Sequence, residues 1–572
     1  MNKKRVADII VECLQNAGVK RCYGIVGDTM NLTAHSIARS EIEWVHMRHE
    51  EAGAFAAAAE ASLTGRLTAC AGSCGPGGLH FINGLYEANR NRAPVVLLAS
   101  QIVRRDIGFD SIQEVDFTEV FRGCSVFCEM VLTADQAKRK AVAACQAALA
   151  RRGVAVLIVP ADIAEEMVHD DTPYAVHVSR PLTRPNDVEL DRIAELLNAS
   201  RSIAIYAGAG CEGAHDEVVA TAARLRAPTV HTSRGKDFIE HDNPYDVGMT
   251  GILGGPAGYH ALLDCDVLLL LGADFVWSQF YPKDATIIQI DADPTHLGRR
   301  HPVTFGAVGD IRPTLEALLP RLQQHDDDRF LSEYQARHRK EIARFESTYA
   351  QPGSGPISGH YLTRVINRQA AKDALFVADD GTPTVWMLRH VDTYGTRRTF
   401  ASLLHGTMAA GMPSALGLQK CQPGRQVISL SGDGGFAMLM GDLLTAVQEK
   451  LPIKICVFDN GALGFINIEQ KAEGLVPVYT DLLNPDFGRI AEAAGLWGRL
   501  VTDGADVEEA VAAWLAEPGP ALLQVKVAPM ELVTPPFIEP KAAMGMALYS
   551  AKAILQGKGR DVWQMLEQNL PV

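Results

Sequence analysis

The sequence predicts an α/β protein built from three doubly wound parallel-sheet domains with a helical tail, and three observations carry that reading. First, the chain has 572 residues. At ~100–200 residues per domain it holds roughly three or four units, each able to bury its own core. Second, short apolar runs recur between longer helical stretches, at 94–99, 154–160, 203–207, 267–272, 287–291, 375–378, 427–431, 453–458 and 521–527. Runs without polar alternation suit strands covered on both faces, as in a parallel sheet. Third, many of them end in Gly, Asp or Asn, at the carboxyl ends of strands, where open α/β sheets bind ligands. Linker-like stretches, RPLTRPN at 180–186, QQHDDDR at 323–329 and QPGSGPIS at 351–358, divide the chain. The expected domains are 1–180, 181–345 and 346–530, with a tail at 531–572.

Composition excludes several classes. Hydrophobic residues make up 47% and charged residues 21% of the chain, which rules out disorder and collagen-like repeats. Lys+Arg 54 against Asp+Glu 68 leaves a net charge of −14, a balance that repels nucleic acid. The eleven Cys show no paired CxxC motif, the tightest spacings being Cys70/Cys74 and Cys124/Cys128, and they read as reduced, core-filling thiols of a cytoplasmic protein. At the N-terminus Asp8, Glu12, Gln15 and Asn16 interrupt every apolar run, so an amphipathic helix is expected there and not a signal peptide. The run at 267–272 falls far short of the ~18–20 apolar residues that span a bilayer.

The strongest chemical signal begins at Val427. A strand, VISLS, runs into Gly432-Asp433-Gly434-Gly435, a helical pattern follows, and the strand IKICVF ends at Asp459-Asn460. Asp433 and Asn460 are 27 positions apart, so each lies at a strand end of one βαβ unit, where the two ends are neighbours. A carboxylate and a carboxamide are hard oxygen ligands that suit Mg²⁺, which keeps diphosphate oxygens in its remaining positions. Glycines there let backbone N–H groups approach the phosphates. Taken alone, GDGG is equally an ordinary strand-to-helix turn; Asn460 at that distance tips the reading.

GDG followed by Asn after about 26 residues resembles the metal-diphosphate motif of thiamine-diphosphate enzymes. That family usually closes the motif with a double Asn; here the first is Asp459, expected to add negative charge beside the presumed ligand Asn460. The resemblance implies thiamine diphosphate and Mg²⁺ as cofactors, with Ala462 completing the metal set and Gly464 at the cofactor. It also implies a glutamate in the first domain, and Arg48-His49-Glu50-Glu51 ahead of the small-residue helix AGAFAAAAEAS matches that place. Alone, Glu50 would read as a solvated helix-start carboxylate; in this company it reads as the acid at the cofactor's pyrimidine N1′. In Leu404-His405-Gly406-Thr407-Met408, the resemblance makes Met408 the apolar wedge that bends the cofactor, with Gly406 and Thr407 beside it.

The middle domain carries Gly208-Ala209-Gly210, Arg234-Gly235-Lys236, Gly251-Ile252-Leu253-Gly254, Asp274-Phe275, Asp291-Ala292-Asp293 and Gly309-Asp310. A strand-end acid for a ribose and basic residues for a pyrophosphate form a coherent dinucleotide site. The set resembles the FAD domain of pyruvate oxidases and acetolactate synthases, some relatives of which have lost the flavin. Leu463-Gly464-Phe465-Ile466-Asn467-Ile468-Glu469 follows the oxidase pattern, with Phe465 and Glu469 four apart on one helix face. Within the family the resemblance is greatest to the quinone-linked pyruvate oxidases. It implies oxidative decarboxylation of pyruvate to acetate and CO₂, with electrons passing through FAD to ubiquinone or a similar quinone, in a homotetramer whose sites are shared between chains. Carboligation of 2-oxo acids, as in acetolactate synthases, is the alternative. One departure concerns substrate fit: the family's Phe-Gln-Glu triplet is Ile112-Gln113-Glu114 here.

In the tail, a Gly557-Lys558-Gly559 break precedes an amphipathic stretch at 560–570. Val562, Met565, Leu566 and Leu570 share one side with Trp563 at its border, opposite Asp561, Gln564, Glu567 and Gln568. The pattern fits a helix packed on its own core. The resemblance to quinone-reducing enzymes implies instead peripheral contact with lipid on the inner face of the cell membrane.

Overall fold

The computed structural model describes residues 3–169, 175–352, 356–533 and 535–569. Its three domains are each a six-stranded, wholly parallel sheet flanked by helices. In the first, the spatial order is Glu43–His46, Arg21–Gly24, Thr68–Gly72, Val95–Gln101, Val154–Pro160 and Phe127–Met130. The third repeats that topology with Arg398–Phe400, Leu375–Ala378, Val427–Gly432, Lys454–Asp459, Ala521–Lys526 and Trp497–Val501. The middle sheet runs Asp246–Met249, Thr229–His231, Ile203–Ala207, Val267–Leu271, Thr286–Asp291 and Phe305–Val308. A short antiparallel pair, Lys3–Arg5 with Met167–His169, ties the start of the chain to the end of the first domain.

All nine runs read from the sequence as strands are strands, and the fully buried ones sit inside their sheets, as continuous apolar composition requires. None of the eleven cysteines is in a disulfide, and nine of them are buried. The linker at 180–186 ends at a capping box in which Asn186 and Glu189 exchange side-chain and backbone hydrogen bonds and open the helix Asp187–Asn198. The helix Arg329–Thr348 runs past residue 345 and buries Leu331 and Tyr334 against the middle domain.

The first and third domains share a core. The small-residue helix Glu50–Thr64 lies against the helix Gly411–Cys421, and a Cβ at Gly417 would sit 2.0 Å from the Ala56 carbonyl oxygen. Small residues on both helices are what allow that approach. Side chains cross the same junction: Asp442 accepts from the Arg48 N–H at 2.9 Å, and the Ser402 hydroxyl donates to Glu87 at 2.6 Å. No helix among the described residues is long and apolar enough to cross a membrane.

Candidate active site

In the third sheet the strand order reverses between the parallel strands Leu375–Ala378 and Val427–Gly432, so a crevice opens at their carboxyl ends. Asp433 begins the helix Asp433–Leu439 there and is 2% exposed. Its Oδ1 accepts from the Gly434 N–H at 2.9 Å; its Oδ2 accepts from the Gly461 N–H at 2.8 Å and the Asn484 amide at 2.6 Å. The Gly461 bond joins Asp433 to the loop carrying Asn460, whose Oδ1 accepts from the Ala462 N–H at 3.0 Å. The two strand ends expected to be neighbours are therefore neighbours. Burial pushes the Asp433 carboxyl up to about 6, with the Asp459 charge adding to the effect.

The glycines shape this crevice. A Cβ at Gly434 would meet Leu463 at 3.0 Å, Leu482 at 3.2 Å and Met408 at 3.3 Å, so Met408 stands beside the Asp433 turn. A Cβ at Gly435 would lie 2.1 Å from Asp379, one at Gly464 2.8 Å from the Asn460 amide nitrogen, and one at Gly432 no nearer than 3.9 Å from Pro383. Gly406 has φ +70°, a left-handed conformation that favours glycine, and faces open space with only Asp380 at 3.8 Å. Thr407 is pinned to the first domain: Asn83 donates to its hydroxyl at 2.9 Å and shares a 2.9 Å hydrogen bond with His405.

Glu50 follows the N-cap His49 and is 7% exposed, in contrast to a solvated helix-start residue. Its carboxylate pairs with His80 Nδ1 at 2.9 Å, and the His80 ring stacks on His49 at 4.7 Å. Gly77 borders it, since a Cβ there would be 3.5 Å from Glu50 Oε1. Gln113 reaches the same loop from the other side, with φ +62° and its Oε1 accepting from the Cys74 thiol at 3.2 Å. Ile112 instead projects from the chain at 89% exposure. No hydrogen bond among the described residues joins Glu50 to Asp433 or Asn460.

In the middle domain, Gly208 and Gly210 cross Gly272 at backbone contact, where added Cβ atoms would lie 2.3 and 2.6 Å from Gly272 atoms. This is the switch point of that sheet. Arg234 lies beside it, its guanidinium drawn below its ordinary value by burial and by nearby Arg92 and Arg152. Arg92 and Arg152 come from the first domain, at left-handed φ of 59° and 52° just past two helices. The side chains of Arg152 and Arg234 donate to no described residue. Asp291 ends its strand 7% exposed, accepting from the Asp293 N–H at 2.9 Å and pairing with His296 at 3.0 Å, while Arg92 reaches the other nitrogen of His296 at 2.6 Å.

Other expected cofactor residues are engaged elsewhere in the chain. Lys236, 4% exposed, is ion-paired with Glu240. Asp274 is held below the usual carboxylate range, because Arg300 and Arg299 outweigh the effect of burial. Asp310 accepts from the Thr183 N–H at 2.8 Å, and with Gly309 it fastens the interdomain linker. Asp293 caps the turn at Thr295. Gly251, at φ +119°, lies against Phe275. The loop of Gly251, Ile252, Leu253 and Gly254 docks on the third domain, where Arg389 donates to the Leu253 carbonyl at 2.9 Å. Leu253 there packs in the same core cluster as Phe465. Phe465 and Glu469 both lie on the helix Gly464–Ala472, Phe465 half-buried and Glu469 exposed.

Comparison with known proteins gives three matches to families of thiamine pyrophosphate enzymes: the N-terminal TPP binding domain over residues 4–120, the central domain over 190–318 and the C-terminal TPP binding domain over 379–525. The putative thiamine pyrophosphate-containing protein YdaP of Bacillus subtilis is 33% identical, over 92% of each chain. The chain belongs to the thiamine-pyrophosphate enzyme family. A pyruvate oxidase of Lactiplantibacillus plantarum is 31% identical, over 84% of this chain and 81% of that one. The large subunit of acetolactate synthase isozyme 2 of Escherichia coli is 29% identical, over 92% and 96%.

The residues of this thiamine-pyrophosphate enzyme fit the cofactor and its metal. No three His, Cys, Asp or Glu side chains among the described residues are grouped to hold an ion by themselves. A metal here would instead draw on Asp433, Asn460 and the Ala462 backbone, leaving positions for diphosphate oxygens, which is how Mg²⁺ is commonly bound. Sequence reasoning missed His80, Asn484, Arg92 and Arg152. His80 and Asn484 are marked only by their fold contacts, whereas the two arginines follow helical patterns directly, at positions suited to a cap.

Proposed function

We propose that this enzyme decarboxylates pyruvate oxidatively to acetate and CO₂ and passes the electrons through FAD to a membrane quinone. The observation that carries the proposal is the docking of the loop 251–254 on the third domain, where Arg389 donates to the Leu253 carbonyl at 2.9 Å and where Leu253 and Phe465 pack against one core cluster. A dinucleotide lying along the middle-domain loop would then abut the helix that bears Phe465 and Glu469. Arg152 and Arg234, whose side chains donate to no described residue, suit its pyrophosphate and Asp291 its ribose. When bound, thiamine diphosphate supplies the nucleophilic carbon and electron sink, and FAD the two-electron acceptor. Asp433 and Asn460 would hold the metal, and Met408 would be the apolar side chain against the bound cofactor. Glu50 holds a proton at the pyrimidine ring nitrogen, in a pocket that the stacked His49 and His80 help to close.

In this reading the site is completed by a second chain within a homotetramer, with Glu50 and Asp433 contributed by different domains. Exposed apolar side chains suit such an interface: Phe109 (77%) and Ile112 (89%) in the first domain, Met438 (59%) and Tyr479 (98%) in the third. An anaerobic titration with pyruvate tests the assignment. Bleaching of the flavin, restored by added quinone with acetate as product, is expected. Acetolactate formation with the flavin unbleached would favour carboligation, the reading that similarity to acetolactate synthase supports.

Ile112 yields a specificity prediction. An Ile in place of the family's Phe leaves room beside the substrate, so wild type is expected to accept 2-oxobutyrate better, relative to pyruvate, than Ile112→Phe. One methylene in an apolar pocket is worth ~1–3 kcal/mol, visible in a ratio of kcat/KM values. Equal ratios would place Ile112 away from the substrate.

The tail helix Gly559–Asn569 is folded onto the chain: Val562 and Met565, each 7% exposed, pack with Tyr549 and Ala553, and Asn569 donates to the Met530 carbonyl at 2.7 Å. Leu570 lies outside the described residues. Trp563 (64%) and Leu566 (42%) face outward and could meet lipid weakly, without a strongly basic face. Removing residues after Gly557 is expected to keep or raise turnover with a soluble acceptor, while abolishing lipid stimulation and co-sedimentation with vesicles. Equal vesicle binding by full-length and truncated enzyme, with the flavin reduced, would leave the tail as a packed helix only.

A further inference from the structure

The carboxylate of Asp459, expected to burden the metal site with charge, is met by a cation from the next strand. Lys526 Nζ lies 2.5 Å from Asp459 Oδ2, which also accepts from the Gln524 amide at 2.6 Å. Lys526 ends the strand Ala521–Lys526 and pairs in register with Asp459 across the sheet, so the geometry is set by the backbone. The Asp459 side chain is fully buried, whereas that of Lys526 keeps 43% exposure. The Asn484 amide bridges the two acids, 3.0 Å from Asp459 Oδ1 and 2.6 Å from Asp433 Oδ2.

We infer that Asp459, Lys526 and Asn484 form a positioning relay that orients Asp433 toward the metal and the diphosphate, with Lys526 making an acid acceptable where the family usually carries Asn. The inference rests on the reading of Asp433 and Asn460 as the metal ligands. Its physical basis is the shared amide. A buried carboxylate that loses its cation must be satisfied by remaining donors. Those donors are Gln524, at 2.6 Å from Oδ2, and Asn484, at 3.0 Å from Oδ1, whose amide also holds Asp433. Lys526→Met would therefore draw Asn484 away from Asp433 and leave an uncompensated charge facing the diphosphate. Asp459→Asn removes that charge, and with it the need for Lys526.

The test is a binding cycle on full-length apoenzyme, titrated with thiamine diphosphate at fixed Mg²⁺ and followed by calorimetry, with melting curves of each apoenzyme. Lys526→Met is expected to weaken binding ~10–100-fold, the range for loss of an outer-shell partner of a metal ligand. The double variant Asp459→Asn/Lys526→Met should recover most of the loss, the non-additivity that marks coupled residues, with Asp459→Asn measured alone to close the cycle. Unchanged affinity in Lys526→Met, even with a lowered melting temperature, would overturn the relay and leave the ion pair as a structural strap. A double variant as weak as Lys526→Met would overturn it as well. If wild type fails to bind Mg²⁺ and thiamine diphosphate, the metal-site reading itself falls, a result distinct from either of these.

Discussion

Glu50→Gln is expected to keep thiamine diphosphate bound and to lose turnover by ~10²–10⁴-fold, the contribution of a placed general acid or base. Glutamine preserves the shape of the side chain in its pocket. Its amide can also keep a hydrogen bond to His80, which pairs with the carboxylate at 2.9 Å. What it cannot do is hold an exchangeable proton for the pyrimidine nitrogen. The loss should therefore fall on exchange of the cofactor's reactive C–H, measured by deuterium incorporation, and leave the binding isotherm close to wild type. The surroundings support a role beyond helix capping: the residue is 7% exposed, His49 has taken over the cap of the helix, and Gly77 packs beside the carboxylate. A fall in turnover smaller than about tenfold, with exchange unaltered, would remove Glu50 from the chemistry.

Where the sequence was legible, a local physical rule sufficed. Central strands such as Val154–Pro160 and Lys454–Asp459 are apolar along their whole length because helices cover both faces, and that composition is visible without a structure. Edge strands escaped notice: Glu43–His46 and Trp497–Val501 are covered on one side only and mix polar with apolar residues. Asp433 and Asn460 could be read because a βαβ unit fixes the distance between strand ends. The partners that tune them could not. Asn484 and Lys526 reach the site through the docking of a loop and the register of a neighbouring strand, and neither leaves a spacing rule in the sequence. For the same reason the sequence shows the charge that Asp459 adds but not the cation that meets it, Lys526. In the middle domain, Lys236 and Asp310 satisfied the composition expected of a dinucleotide site, yet their charges are committed to Glu240 and Thr183. Arg152 and Arg234, from two domains, keep guanidinium groups that donate to no described residue.

Asp433→Ala should act on affinity where Glu50→Gln acts on rate. Asp433 supplies the only carboxylate in the set of Asp433, Asn460 and Ala462, so its removal takes away the charge that balances the cation. Weaker binding of Mg²⁺ and thiamine diphosphate is expected, by more than the ~10–100-fold typical of an outer-shell loss. Truncation also strands buried donors. The Gly434 and Gly461 N–H groups lose their acceptor and the Asn484 amide one of its two, and each unsatisfied group costs about 1–3 kcal/mol, so the alanine protein is expected to melt earlier. Asp433→Asn separates the two effects. It keeps an oxygen acceptor and the side-chain volume while removing the charge, so it should lose affinity with a smaller fall in melting temperature. Saturating Mg²⁺ should raise the melting temperature of wild type in the presence of thiamine diphosphate, since ligand that binds only the folded state stabilises it, and should do little for either variant. If Asp433→Asn binds the metal and cofactor as tightly as wild type, the cation is held elsewhere and the carboxylate of Asp433 serves only to join Gly461 and Asn484 across the crevice.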